Sequence, residues 1–213
     1  MDDAEFDRAL IDSAFAMAAS DGWPAVRVAE AARRAGLPLD RARIRFPTRS
    51  TVLLRFGRLA DAEALATPAG DGPVRDRLFD ILMRRIDVLQ VHRSGVLALF
   101  RALPTDPCTA LLLSMASVKS MHWMLEGAGV PAEGLSGRLR AKGLLAVWLW
   151  TMRAWQRDES ADLSATMAVL DEALNRADRA AAWLGSPKTG PSAEPDPPPT
   201  PDEQALPFAL PPV

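Results

Sequence analysis

One cysteine, two histidines and no tyrosine occur in 213 residues. A lone Cys108 excludes an internal disulfide and a cysteine-based zinc centre. His92 and His122 are the only histidines and lie far apart in sequence. There is no glycine-rich phosphate loop, no His-Glu-x-x-His and no nucleophile elbow. Cys108 follows Pro107 at a helix start, but no general base accompanies it. No catalytic residue, metal ligand or cofactor is therefore expected, and the chain does not read as an enzyme. The formal net charge is −2, so any attraction to nucleic acid must come from a local patch. Long hydrophobic runs are missing too. Segments 110–118 and 143–150 are too short and too close to charge to span a bilayer. The start, Met1-Asp2-Asp3-Ala4-Glu5, lacks the positive region and apolar run of a secretory signal. The expected location is the cytoplasm, with no integral membrane segment.

What remains is helical. Ala, Leu, Arg and Met dominate and period-2 alternation is rare. Asp2 or Asp3 caps a first helix over 4–20, with Phe6, Leu10, Ala14 and Met17 on one face. Short helices follow over 27–35 and 39–45, the first capped by Gly36. A fourth starts at Thr48 after Pro47 and runs to 66. Residues 67–73, Thr-Pro-Ala-Gly-Asp-Gly-Pro, form a hinge. Further helices are expected over 74–91, 95–103, 107–126 (with Asp106 as cap), 138–157 and 161–184. Asp76, Asp80, Asp158 and Glu159 read as helix-face carboxylates without a partner signal. The sequence predicts an all-α fold of about nine helices in three parts. Residues 1–66 form a head, 74–185 a body, and 186–213 a disordered tail carrying ten of the 18 prolines.

The segment 28–54 carries the most specific chemistry. A short helix ends at Ala35-Gly36-Leu37, a second stops at Phe46-Pro47, and a third begins at Thr48. That is a helix-turn-helix layout, whose second helix can enter a DNA major groove. Between Pro24 and Arg49 stand seven arginines (27, 33, 34, 41, 43, 45 and 49) against Glu30 and Asp40, a local side-chain net of +5. Arg41, Arg43 and Arg45 alternate along the short helix and are expected to face the groove; Arg27 and Arg49 are expected to hold phosphates. Opposing this, residues 1–23 carry six acids against Arg8, a net of −5.

The same residues resemble the tetracycline-repressor (TetR) family. Ala32 and Ala35-Gly36-Leu37 match the end of the family's alanine-rich helix, and Phe46-Pro47-Thr48-Arg49 matches the junction after its recognition helix. Asp21-Gly22-Trp23 sits where the family's first helix ends in a glycine turn. Pro38 stands where the family has Ser or Thr, and Arg43 where it has Tyr. The resemblance covers residues 5–60 and implies a TetR-like fold, a double-stranded DNA partner and a homodimer.

The body resembles a second group, the lipid-binding accessory proteins of ubiquinone biosynthesis, which share the TetR fold. The similar pieces include Val74-Arg75-Asp76-Arg77-Leu78, Leu89 to Arg93, Trp123 with Ala128-Gly129, and Leu144 to Val147. That group's Gly-Asp-x-Ser-Thr-Asp segment is replaced here by Gly129 to Gly134. This resemblance implies lipid binding with a vestigial head. Either reading gives the body a small apolar ligand or lipid, and Met121, His122, Trp123, Trp148 and Met152 are the candidate contacts. Small residues in the last two helices, Ala168 and Ala173 among them, mark that pair as the expected dimer seam.

Overall fold

In the computed structural model, residues 1–68 and 70–185 are described. The disorder expected over 186–213 falls outside them. Nine α-helices and no strands occur among the described residues. They are α1 (Asp3–Asp21), α2 (Val28–Arg34), α3 (Leu39–Arg45), α4 (Arg49–Leu65), α5 (Val74–Val91), α6 (Arg93–Ala102), α7 (Pro107–Gly127), α8 (Gly134–Trp155) and α9 (Ser164–Gly185).

The helix starts follow from side-chain caps. Asp2 and Glu5 close a reciprocal capping box on α1, at 2.8 and 2.9 Å. Thr48 caps α4, and Asp106 accepts from the Thr109 amide at the start of α7. After α2, Gly36 adopts φ +64°, and the Leu37 amide reaches back to Ala32 O, satisfying a carbonyl of the helix end.

α4 leaves the head to pack on α5 and α7, while α1 packs on α6. One buried core therefore runs from Phe6, Phe15 and Trp23 through Phe56 to Ile81, Ile86, Met124 and Trp155. The α1–α6 crossing is close because Gly95 has no side chain. A Cβ there would lie 2.4 Å from Phe15 O and 2.9 Å from Phe15 Cδ1. Gly95→Ala is expected to cost about 1–3 kcal/mol, because backbone must move to admit one methyl. Gly143→Ala, in an open helical position, should be neutral or slightly stabilising. Chemical denaturation of both variants checks the contrast, and an unaffected Gly95→Ala protein would contradict the close crossing.

Beside that crossing, the His92 ring lies 5.4 Å from Phe15 and 5.5 Å from Phe56 between centroids. Its Nε2 is 3.3 Å from Asp12. Burial lowers its pKa below the ordinary 6.5, partly offset by Asp12. A histidine held neutral in the fold binds its proton more readily when unfolded. Its stabilising contribution is therefore complete above pH 6.5 and is lost as pH falls through the folded value. The melting temperature is expected to decline as pH falls below 6.5, a decline that His92→Asn should remove.

Two boundaries differ from expectation by more than two residues. α8 starts at Gly134 rather than 138, with Gly134 at φ +67° turning the chain into it. α9 starts at Ser164 rather than 161, because Asp158 organises the preceding turn. One Asp158 oxygen accepts from the Ser160 amide and hydroxyl, the other from the Thr166 amide and hydroxyl. These bonds hold its carboxyl far below the usual carboxylate range. They also brace buried Leu163 at φ +55°, a conformation costly for a side-chain-bearing residue. Asp158 is thus a structural hub, not an unpartnered surface carboxylate.

Candidate functional site

α2, the turn and α3 meet as a helix-turn-helix. Seven residues give α3 barely two turns, so its faces separate cleanly. Ala42 is buried, and positions 41 and 45 face α1. Arg41 lies over the Phe6 ring at 4.5 Å, pairs with Asp3 and donates to Asp2 O at 3.0 Å. Arg45 grips Asp7 through two bonds of 2.6 and 2.8 Å and also pairs with Asp3. Asp7 in turn accepts from Arg55 of α4 at 2.6 Å. Arg55 also bonds Arg45 O and lies over Phe46. The pairing holds the Asp3 carboxyl below its ordinary range and raises the Arg45 guanidinium above its own.

Arg41 and Arg45 therefore do not face outward with Arg43. The exposed face of α3 consists of Asp40, Arg43 and Ile44, with Leu39 at its start. Ile44 is 80% exposed, which is unusual for an isoleucine, and the sequence reading had not singled it out. The signal was available: residues 40, 43 and 44 follow the i, i+3, i+4 spacing of one helix face. Arg43 makes a single bond, to Pro47 O at 3.1 Å.

The other arginines divide the same way. Arg33 and Arg34 share Glu30, and Arg34 also approaches Asp21. Arg49 donates to Trp23 O and Pro24 O and pairs with Asp106 at 3.4 Å. Arg27, exposed at the N-terminus of α2, and Arg43 have no carboxylate partner among the described residues. The acids of α1 are not a free repulsive surface either, since Asp3 and Asp7 neutralise inward-turned arginines.

In the body, a cavity of about 430 Å³ lies among α4, α5, α6, α7 and α8. Trp148 and Met152 line it, as expected of ligand contacts. Met121 is fully buried outside its lining. His122 Nδ1 meets Val118 O of its own helix at 3.0 Å. Trp123 is 57% exposed and lies off the cavity. The polar members of the wall, absent from the sequence reading, are Arg85, Ser114, Ser117 and Gln156. Among the described residues no cluster of His, Cys, Asp or Glu could hold a metal ion, and no single helix is long and apolar enough to cross a membrane.

No family model matches the sequence, and no curated protein matches it. Solved structures do. A TetR transcriptional regulator from Nitrosomonas europaea superposes with a TM-score of 0.67 at 25% identity, over 84% of this chain and 99% of that one. A TetR transcriptional regulator from a Rhodococcus species gives 0.55 at 12% identity, over 83% and 97%, a likeness of fold alone. With nine helices among the described residues and a helix-turn-helix at α2–α3, this chain has the fold of the TetR transcriptional regulators.

Proposed function

We propose that the protein is a homodimeric DNA-binding regulator whose body senses a small ligand. The exposed face of α3 carries this reading. Arg43 is free to pair with a guanine edge, Ile44 offers an apolar surface suited to a thymine methyl, and Arg27 can neutralise a flanking phosphate. Arg49, one-third exposed at the N-terminus of α4, is a second phosphate contact. Arg41 and Arg45 support α3 from behind. They fix its angle through Asp3 and Asp7 rather than reading bases.

A two-fold DNA site needs two heads at a fixed spacing. The body exposes apolar and small side chains that a second copy would cover. α8 exposes Leu135, Leu139, Leu149 and Trp150, from 58 to 84%, around Ala146. Ala165 and Ala168 of α9 are exposed too, and small enough for close helix approach. Ala173 and Ala177 instead pack within their own chain.

The test is selection of bound sequences from random duplex DNA by the full-length protein. Enrichment of an inverted repeat, with half-sites about one helical turn apart, is expected. Failure to enrich any sequence at modest salt would remove the regulator reading. The lipid-accessory reading draws on the cavity and on the exposed Leu111, Met115 and Trp123 of α7; it would then stand instead.

A further inference from the structure

Among the described residues Arg85 is the one charged member of the cavity wall, and its side chain is only 7% exposed. Its Nε donates to Asp61 Oδ1 at 2.8 Å, and its Nη2 lies 3.5 Å from Ser120 Oγ. The guanidinium sits 4.4 Å from the centre of the Trp148 ring. Nη1 makes no hydrogen bond among the described residues. Asp61, on α4, is the more exposed partner at 16%, and its second oxygen accepts from Ser120 at 2.6 Å.

We propose that this cavity binds a small amphipathic acid, an apolar chain ending in a carboxylate, and that the carboxylate takes the place of Asp61 on Arg85. The proposal rests on the reading of the body as a ligand domain and gives that ligand a chemical class.

Three physical points select an acid. A cationic ligand would bring like charge against Arg85. A neutral chain would leave Nη1 unsatisfied once it excluded water. A carboxylate offers the planar, two-oxygen acceptor that a guanidinium fits, and it exchanges one anion for another, so no buried charge is left unpaired. Asp61 can be exchanged because it sits nearer solvent and can rotate outward to water. Exchange would also break the polar tie between α4, which carries Arg49 and the end of the head, and its neighbours α5 and α7.

The experiment is calorimetric titration of the full-length protein without DNA, using decanoate, decanol and decylamine as chain-matched probes. Decanoate is expected to bind at least about tenfold tighter than decanol. Arg85→Met should abolish that preference. Asp61→Asn, which removes the competing anion, should tighten decanoate by about tenfold or more and leave decanol unchanged. If Arg85→Met fails to fold, the Asp61→Asn comparison decides alone. Equal binding of decanoate and decanol would overturn the acid proposal while leaving the ligand-domain reading in place. Tightest binding of decylamine would overturn it too, making Asp61 the anchor. Binding of none of the three would overturn both.

Discussion

The Trp150→Glu protein is expected to be a monomer in solution and to lose binding to any two-fold DNA site. Trp150 is 58% exposed on α8 beside Leu149, and Leu139 lies further along the same helix. A second copy would cover these side chains through an isologous interface. Burying an unpaired carboxylate there costs about 3–5 kcal/mol, which raises a dimer Kd by roughly two to four powers of ten. Ala168→Glu should act likewise from α9. Ala173→Arg would not be a clean test, since Ala173 packs inside its own chain. Light scattering on wild type and variant at equal concentration gives the answer, with circular dichroism confirming retained helix. A wild-type protein that is monomeric at about ten micromolar would contradict the dimer.

A second large effect separates two arginines that look equivalent in sequence. Arg43→Ala should weaken binding to the selected site by about 1–3 kcal/mol and relax the preference at one base position. Its melting temperature should not change, since the side chain makes one exposed bond, to Pro47 O. Arg45→Ala should do the reverse. It removes two bonds to Asp7 and the pair with Asp3, one of the two arginine links from α3 to α1, so the head melts several degrees earlier. Binding should then fail only as the head unfolds. Paired gel-shift and thermal-melt measurements on both variants test this. An Arg43→Ala protein that binds its site like wild type would remove α3 as the reader.

The contrast also shows why the fold was more legible than the site. Helix spans follow from periodicity and caps, and residues 39–45 and 74–91 were delimited from sequence as they stand in the structure. Asp106 announced the start of α7, and Gly36 the end of α2, by residue type alone. The arginines of α3 were read by their alternation, but two positions on a helix turn the side chain by about 200°. Arg43 therefore points away from Arg41 and Arg45, and only the helical period reveals it. The acids that claim the inward pair lie about 40 residues earlier, on another helix. No local pattern could predict that Asp7 would join Arg45 to Arg55. The cavity had the same difficulty. Trp148 and Met152 were recognisable as large apolar groups, whereas Arg85 became part of the wall only when α4, α5 and α8 came together. Trp123 was chosen for its residue type, and its position on the outer face of α7 decided otherwise.

The contact at Gly95 bears on how motion would pass through the molecule. Val96, Leu99 and Phe100, on the same short helix, line the cavity. One residue before them, α6 meets α1 backbone to side chain, with no methyl in between to yield. Packed side chains absorb small displacements by changing rotamer, but a bare glycine has none to change. A shift of α6 by an occupant of the cavity would thus be passed to α1 with no side chain at residue 95 to absorb it. From there it reaches α3 through Asp3 and Asp7. The head would be driven from two sides, by α4 directly and by α6 acting as a stiff pushrod.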